Sequence, residues 1–136
     1  MKRNRWVNLA VVGAVLALMP IGASHAEGER VLTAAEISDA LAGNTFSGVF
    51  GEENTRYAQR NHRNGMAVVN IEGTPARLIP WFVEEPGSYC EDWAESGVIC
   101  YRISRDDSSG KHFFQRPNGT VSEFVVQKGF QPFTFE

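Results

Sequence analysis

The sequence predicts a mainly β domain, either a small antiparallel up-and-down barrel or a strongly curled meander sheet, with one short N-terminal helix. Turn-forming residues recur every 8 to 14 residues or so after position 64, as expected for a series of short strands. The segments between these turns are rich in β-branched and aromatic residues. A sandwich of two sheets is the alternative, because hydrophobic periodicity does not distinguish it from a barrel.

The first 26 residues have the layout of a cleavable secretory signal peptide. A basic segment at 2–5 precedes an apolar run at 6–19, and small residues follow at Ser24 and Ala26. This order is typical of a secretory signal, and the apolar run is shorter than the about 20 residues that a membrane-spanning helix needs. We expect cleavage between Ala26 and Glu27, with a cut after Ser24 as the alternative.

Residues 27–136 are expected to form a single β-rich domain, a monomer without a membrane span, in the periplasm or outside the cell. Loss of the leader removes three basic residues and no acidic one, so the formal net charge of −3 becomes more negative by three. A negative surface repels phosphate backbones, which argues against nucleic acid as a partner.

A helix is predicted at residues 34–42, at the start of this domain. Thr33 and Glu36 form a capping box. Ile37 and Leu41 lie four residues apart and therefore share one face. Because so short a helix is not stable alone, this face must pack against the sheet.

Seven strands are predicted after the helix. The alternation of apolar and polar side chains along a strand is clearest from residue 98 onwards, where Ile99, Tyr101 and Ile103 would share one face. Asn118-Gly119 favours a hairpin turn, and Pro80 argues for an edge position or a bulge in its strand. Residues 51–63 are polar and predict no element. The predicted strands are 45–50, 66–71, 76–84, 88–93, 98–105, 112–116 and 121–128.

Cys90 and Cys100 are predicted to form a disulfide between neighbouring strands, because an exported chain meets an oxidising compartment. A redox pair usually has the Cys-X-X-Cys spacing, which is absent here. The spacing of these cysteines with His62 and His112 matches no zinc pattern. We therefore expect neither a metal nor another cofactor.

Tryptophans and cysteines stand at characteristic spacings within the expected domain. The pattern consists of residues 32–37, Gly43-Asn44-Thr45, Trp81, Cys90, Trp93 and Cys100-Tyr101-Arg102. In these residues the chain resembles the small secreted proteins of alphaproteobacteria grouped as domain of unknown function 995. It departs from that pattern at Pro80, where a Gly-X-Trp sequence would be expected. The resemblance covers nearly all of residues 27–136 and implies an exported, lipocalin-like β-rich domain, but no activity and no functional residue.

The sequence contains no motif of known catalytic chemistry. Adjacent acidic residues such as Glu91-Asp92 point to opposite faces of a strand, so such a pair cannot supply the two converging carboxylates of a glycosidase. Neither a Gly-X-Ser-X-Gly nor a Ser-X-X-Lys nucleophile motif is present. We expect no enzyme activity, and a small hydrolase is the least favoured class.

Aromatic residues provide the candidate binding site. Most of them must be core, because aromatic side chains dominate burial. The rest would line a pocket in which Arg77 or Arg102 orients an anionic group. The residues predicted for ligand or partner binding are Phe46, Trp81, Phe82, Trp93, Tyr101, Arg102 and Phe124.

The leading functional prediction is a non-enzymatic binding module of the cell envelope. It would take a small apolar ligand in an empty cavity, or an envelope or secreted protein on an exposed apolar patch. Phe130, Phe133 and Phe135 would either plug the barrel or form such a patch. The alternative is a secreted inhibitor of a lysozyme-like or proteolytic enzyme, with the disulfide-braced loop 91–99 and its Trp93 as the anchor.

Overall fold

The computed structural model describes residues 28–135. The predicted signal peptide, with its cleavage site between Ala26 and Glu27, lies outside the described residues. From residue 28 to residue 135, no helix is both long and apolar enough to cross a bilayer.

Eight consecutive antiparallel strands form a closed up-and-down barrel. Each strand from β2 to β9 pairs with the next one, and β9 pairs with β2, which closes the sheet. The predicted barrel is therefore confirmed, and neither the open curled sheet nor the sandwich is formed. The elements are β1 (Glu29–Val31), α1 (Ala34–Leu41), β2 (Thr45–Phe50), β3 (Thr55–Asn61), β4 (Met66–Ile71), β5 (Arg77–Glu84), β6 (Ser88–Asp92), a 3₁₀ turn (Ala94–Ser96), β7 (Val98–Asp106), β8 (His112–Gln115) and β9 (Val121–Gln127).

The helix α1 packs at one end of the barrel, which we call the helix end. Its capping box is formed as predicted, with the Glu36 amide donating to Thr33 Oγ1 and the Thr33 amide donating to Glu36 Oε2. Ile37 and Leu41 are completely buried in the core. The turns at residues 51–54, 72–76, 93–97 and 116–120 border the opposite end, which we call the mouth.

Large aromatic side chains fill the middle of the barrel below the mouth. The rings of Phe114 and Phe124 stack with centroids 4.0 Å apart. Phe46 meets Phe124 edge-on at 5.6 Å and Tyr89 at 6.1 Å. Because all four rings are buried, this cluster closes the barrel interior toward the helix end.

The strand β3 was not predicted, because its inward face is polar. Tyr57, Gln59 and Asn61 point into the barrel, so the segment lacks the apolar alternation by which strands are recognised. Gln59 and Asn61 are nevertheless buried, because their side chains are hydrogen-bonded to others inside the barrel. The short strand β1, which pairs with the end of β7, was also missed.

Pro80 does not lie on an edge strand, so that part of the prediction is wrong. It is the last residue of β5 that pairs with β4, opposite Met66, and Trp81 is the first that pairs with β6. The proline therefore occupies the point at which the strand changes partner, with its side chain exposed.

The C-terminal aromatic residues neither plug the barrel nor form a separate patch. Residues 130–135 fold back along the outer face of β3. The guanidinium of Arg60 lies 4.4 Å from the ring centroid of Phe133, and that of Arg56 lies 5.5 Å from Phe135. This cover explains why Ala58, which points outward between the two arginines, is only 6% exposed.

Candidate functional site

A cavity of about 400 Å³ occupies the part of the barrel next to the mouth. Its size falls in the range of about 300 to 1,000 Å³ that is typical of small-molecule sites. Its wall is mainly aromatic and aliphatic. The lining residues are Phe46, Val49, Phe50, Tyr57, Gln59, Val69, Ile71, Glu91, Trp93, Ile99, Tyr101, Phe114, Arg116 and Ser122.

Gly48 shapes one wall of the cavity. It lies opposite Tyr57 in the β2–β3 pairing. A Cβ atom at this position would lie 3.1 Å from Tyr57 Oη and 2.9 Å from the backbone oxygen of Glu123. The missing side chain therefore allows the Tyr57 ring to lie against the barrel wall instead of crossing the cavity.

The inner end of the cavity carries a buried carboxyl group. Glu91 is only 5% exposed. Its Oε1 accepts hydrogen bonds from Gln59 Nε2 at 2.8 Å and from Tyr89 Oη at 2.9 Å. Its Oε2 accepts a hydrogen bond from Trp93 Nε1 at 2.9 Å. Both oxygens are therefore occupied by protein donors.

The hydrogen bonds of Glu91 belong to a network that crosses the barrel. Asn61 Nδ2 donates to Tyr89 Oη at 3.0 Å, and Gln59 Nε2 lies 2.9 Å from Asn61 Oδ1. These contacts join β3 to β6, two strands that are separated in the sheet by β4 and β5. Because each of these side chains hydrogen-bonds at least one other, the network holds the cavity floor in one arrangement.

Burial shifts the ionisation of the groups around the cavity. Desolvation raises the pKa of Glu91 above its ordinary value, against the opposing effect of its three hydrogen bonds. Desolvation, helped by the charge of Glu91, also raises the pKa of Tyr101 to about 12 and that of Tyr57 still further. Both phenols therefore remain protonated hydroxyl groups at neutral pH.

Arg116 brings a positive charge to the mouth. It follows the last residue of β8, is half-buried, and lies with its guanidinium 5.8 Å from the ring centroid of Phe50. This residue is not among those predicted from the sequence. His112 and Phe114 point into the barrel, and because side chains alternate along a strand, position 116 should point inward as well. This alternation could have identified Arg116 from the sequence.

Three of the residues predicted for binding line the cavity: Phe46, Trp93 and Tyr101. Trp81 and Phe124 point into the barrel but belong to the buried core. The indole nitrogen of Trp81 donates to the backbone oxygen of His62 at 2.9 Å, which holds this ring away from the cavity.

The prediction that Phe82 and Arg102 line the same pocket is wrong. Both side chains lie on the outer face of the barrel, because each follows an inward residue in a strand whose side chains alternate. Arg77 is also exposed and does not line the cavity, although its guanidinium lies 5.2 Å from the ring centroid of Trp93.

Cys90 and Cys100 face each other across β6 and β7 and form the predicted disulfide, with Cα atoms 4.1 Å apart. A carboxylate oxygen of Glu84 lies near both sulfurs, the one cluster of potential metal ligands among residues 28–135. The disulfide engages both sulfurs, so this cluster offers one carboxylate and no thiolate.

None of the comparisons with protein-family models, curated proteins and solved structures gives a match for this chain. The resemblance to the domain of unknown function 995 therefore stays a prediction.

Proposed function

We propose that this chain is an exported, non-enzymatic binding protein that holds one small, largely apolar molecule in its barrel. The cavity of about 400 Å³ is the observation that carries this proposal. An eight-stranded barrel is wide enough either to be filled by its own side chains or to hold one small ligand. Here the aromatic cluster fills the helix end and leaves the mouth side empty. The disulfide supports an oxidising location in the periplasm or outside the cell.

The orientation of Trp93 favours this function over enzyme inhibition. An inhibitor loop would present its anchor to the partner. The Trp93 indole is turned inward and donates to Glu91, and the exposed residues of the loop are Ala94–Ser96 and Val98. The turn at 94–96 contains no large apolar side chain, so the loop offers a partner's pocket no aromatic anchor and only the small apolar side chain of Val98.

The cavity also lacks the groups that the common hydrolytic mechanisms need. Among the described residues that line it there is no histidine, and Glu91 is the one carboxyl group. Because both Glu91 oxygens accept hydrogen bonds from the protein, this carboxyl is a poor candidate for a general base. A carrier or sensor of a small molecule fits these groups better than a catalyst does.

Filling the cavity tests the proposal. The uncharged dye N-phenyl-1-naphthylamine, which fluoresces in apolar surroundings, serves as the probe. Ser122→Phe adds a ring on the cavity side of β9, and the neighbouring Val121→Phe adds the same ring on the outer face, where Val121 is 54% exposed. We expect the wild type and Val121→Phe to bind the dye, and Ser122→Phe to bind it at least about tenfold more weakly.

Equal binding by both variants would place the dye on the surface and overturn the proposal. Thermal unfolding of each variant checks that the barrel is intact. Tryptophan fluorescence gives a second measurement, because Trp93 lines the cavity and Trp81 does not. Quenching by the bound dye should be stronger in Trp81→Phe, which keeps Trp93, than in Trp93→Phe, which keeps the more distant Trp81.

A further inference from the structure

Arg116 and Glu91 are the two charged side chains among the described residues that line the cavity. We propose that the bound molecule is an amphiphile with one oxoanion headgroup, which Arg116 holds at the mouth while the apolar body enters the barrel. This inference rests on the proposed function and specifies its ligand.

Within residues 28–135 no carboxylate pairs with Arg116, whose one charge contact there is with the ring of Phe50. Arg30, Arg56 and Arg105 all form ion pairs with carboxylates. Arg116 makes neither an ion pair nor a side-chain hydrogen bond with any residue from 28 to 135. A half-buried guanidinium has given up part of its hydration, and its planar fork matches the geometry of a carboxylate, sulfate or phosphate.

Three hydroxyl groups line the same cavity. Tyr57, Tyr101 and Ser122 line the cavity, and within the described part of the chain none of their hydroxyls is hydrogen-bonded. Arg116 is close enough for its charge to act on both phenols, where it lowers the pKa against the larger effect of burial. A guanidinium together with neutral hydroxyl groups favours an oxoanion over a cation.

The position of Glu91 orients the molecule. This carboxyl lies at the inner end of the cavity, and each of its oxygens already accepts a hydrogen bond from the protein. When ionised, it repels an anion from the floor. The headgroup therefore belongs beside Arg116, and the apolar body belongs against the inner wall at Phe46, Val69 and Phe114.

Two dyes with the same aromatic body distinguish recognition of the anionic headgroup from binding of the apolar body in the cavity. They are 1-anilinonaphthalene-8-sulfonate and the uncharged N-phenyl-1-naphthylamine, which lacks the sulfonate. Arg116→Gln removes the charge at the mouth, and Arg102→Gln makes the same change at an exposed position on the outer face. We expect the wild type to prefer the sulfonate, and Arg116→Gln to lose about tenfold in affinity for it. In Arg116→Gln, affinity for the uncharged dye should change much less than affinity for the sulfonate, and Arg102→Gln should change neither.

Any other result contradicts either the headgroup assignment or the binding function itself. If the wild type binds the uncharged dye but Arg116→Gln affects both dyes equally or neither, the headgroup assignment fails and the cavity proposal survives. If neither dye binds the wild type, the proposed function fails as well.

Displacement of the uncharged dye extends the test to an ordinary amphiphile. Decanoate and decanol have the same chain length and differ in charge. Decanoate should displace the dye at lower concentration than decanol in the wild type and in Arg102→Gln, and this advantage should disappear in Arg116→Gln. Equal displacement by the two in the wild type would contradict recognition of an anionic head.

Discussion

Removal of the covalent link between β6 and β7 should lower the free energy of unfolding by about 2.7 kcal/mol, as estimated from loop-closure entropy. Cys90 and Cys100 are separated by 10 residues in sequence, and the link restricts the unfolded chain over that interval. For a domain of this size, such a loss corresponds to a fall of the melting temperature by about 10 °C. The double variant Cys90→Ala/Cys100→Ala removes this covalent link.

Urea unfolding, followed by circular dichroism, measures this loss in three samples: the oxidised wild type, the reduced wild type and the double variant. The reduced wild type isolates the link, because it keeps both sulfur atoms. The double variant should be somewhat less stable than the reduced protein, since Cys90 is completely buried and alanine leaves a small void. The unfolded state is also more expanded without the link, so the free energy of unfolding should fall more steeply with urea concentration.

Equal urea midpoints for the oxidised and reduced wild type would refute the entropic reasoning. A midpoint that falls only in the double variant would show that packing around Cys90 stabilises the barrel, and that the covalent bond does not. Free thiol titration under denaturing conditions is the control for the redox state of each sample.

Two further predictions concern ionisation and the C-terminal segment. Because burial raises the pKa of Glu91 from its ordinary value of 4.5, the folded protein holds this proton more tightly than the unfolded chain does. The contribution of Glu91 to the free energy of unfolding should therefore fall as the pH rises above 4.5, and Glu91→Gln should remove this contribution. Urea midpoints of the two proteins on either side of this pH test it, and a difference between them that is independent of pH would contradict it. Phe133→Ala should lower the free energy of unfolding by about 1 kcal/mol, because the Phe133 ring covers the guanidinium of Arg60 at 4.4 Å. Thermal unfolding measures this loss. The control is Thr134→Ala, a change at an exposed position that should cause no such loss.

Much of the fold follows from local patterns in the sequence. The capping box at Thr33 and Glu36 placed the helix, and the seven predicted strands correspond to β2 and to β4 through β9. The strand β3 was missed because its inward side chains satisfy one another through hydrogen bonds to β6. Such partners lie 28 to 32 residues apart, so no local window contains both sides of the interaction.

The candidate site was only partly predictable. Trp81 and Phe124 point inward but belong to the buried core, whereas two other errors share one cause in strand alternation. Phe82 and Arg102 were chosen for their chemical type, but their strand parity places them outside the barrel. Arg116 points into the barrel as Phe114 does, because it lies two residues further along the chain. It was overlooked because it follows the last residue of β8. Residue type identifies candidates, and alternation decides which of them face the cavity.

The polar network explains how the barrel keeps an open cavity beside a filled core. If Gln59 and Glu91 were large apolar residues, they would pack on Phe46 and extend the aromatic cluster toward the mouth. Instead, their hydrogen bonds to Tyr89 and Trp93 hold both side chains at the floor and wall. A network in which these side chains hydrogen-bond one another favours a single arrangement, so the cavity is a preformed space for the proposed ligand. The same hydrogen bonds engage Glu91, the one carboxyl group among the described residues that line the cavity, so that Arg116 is the charge that the proposed ligand would meet.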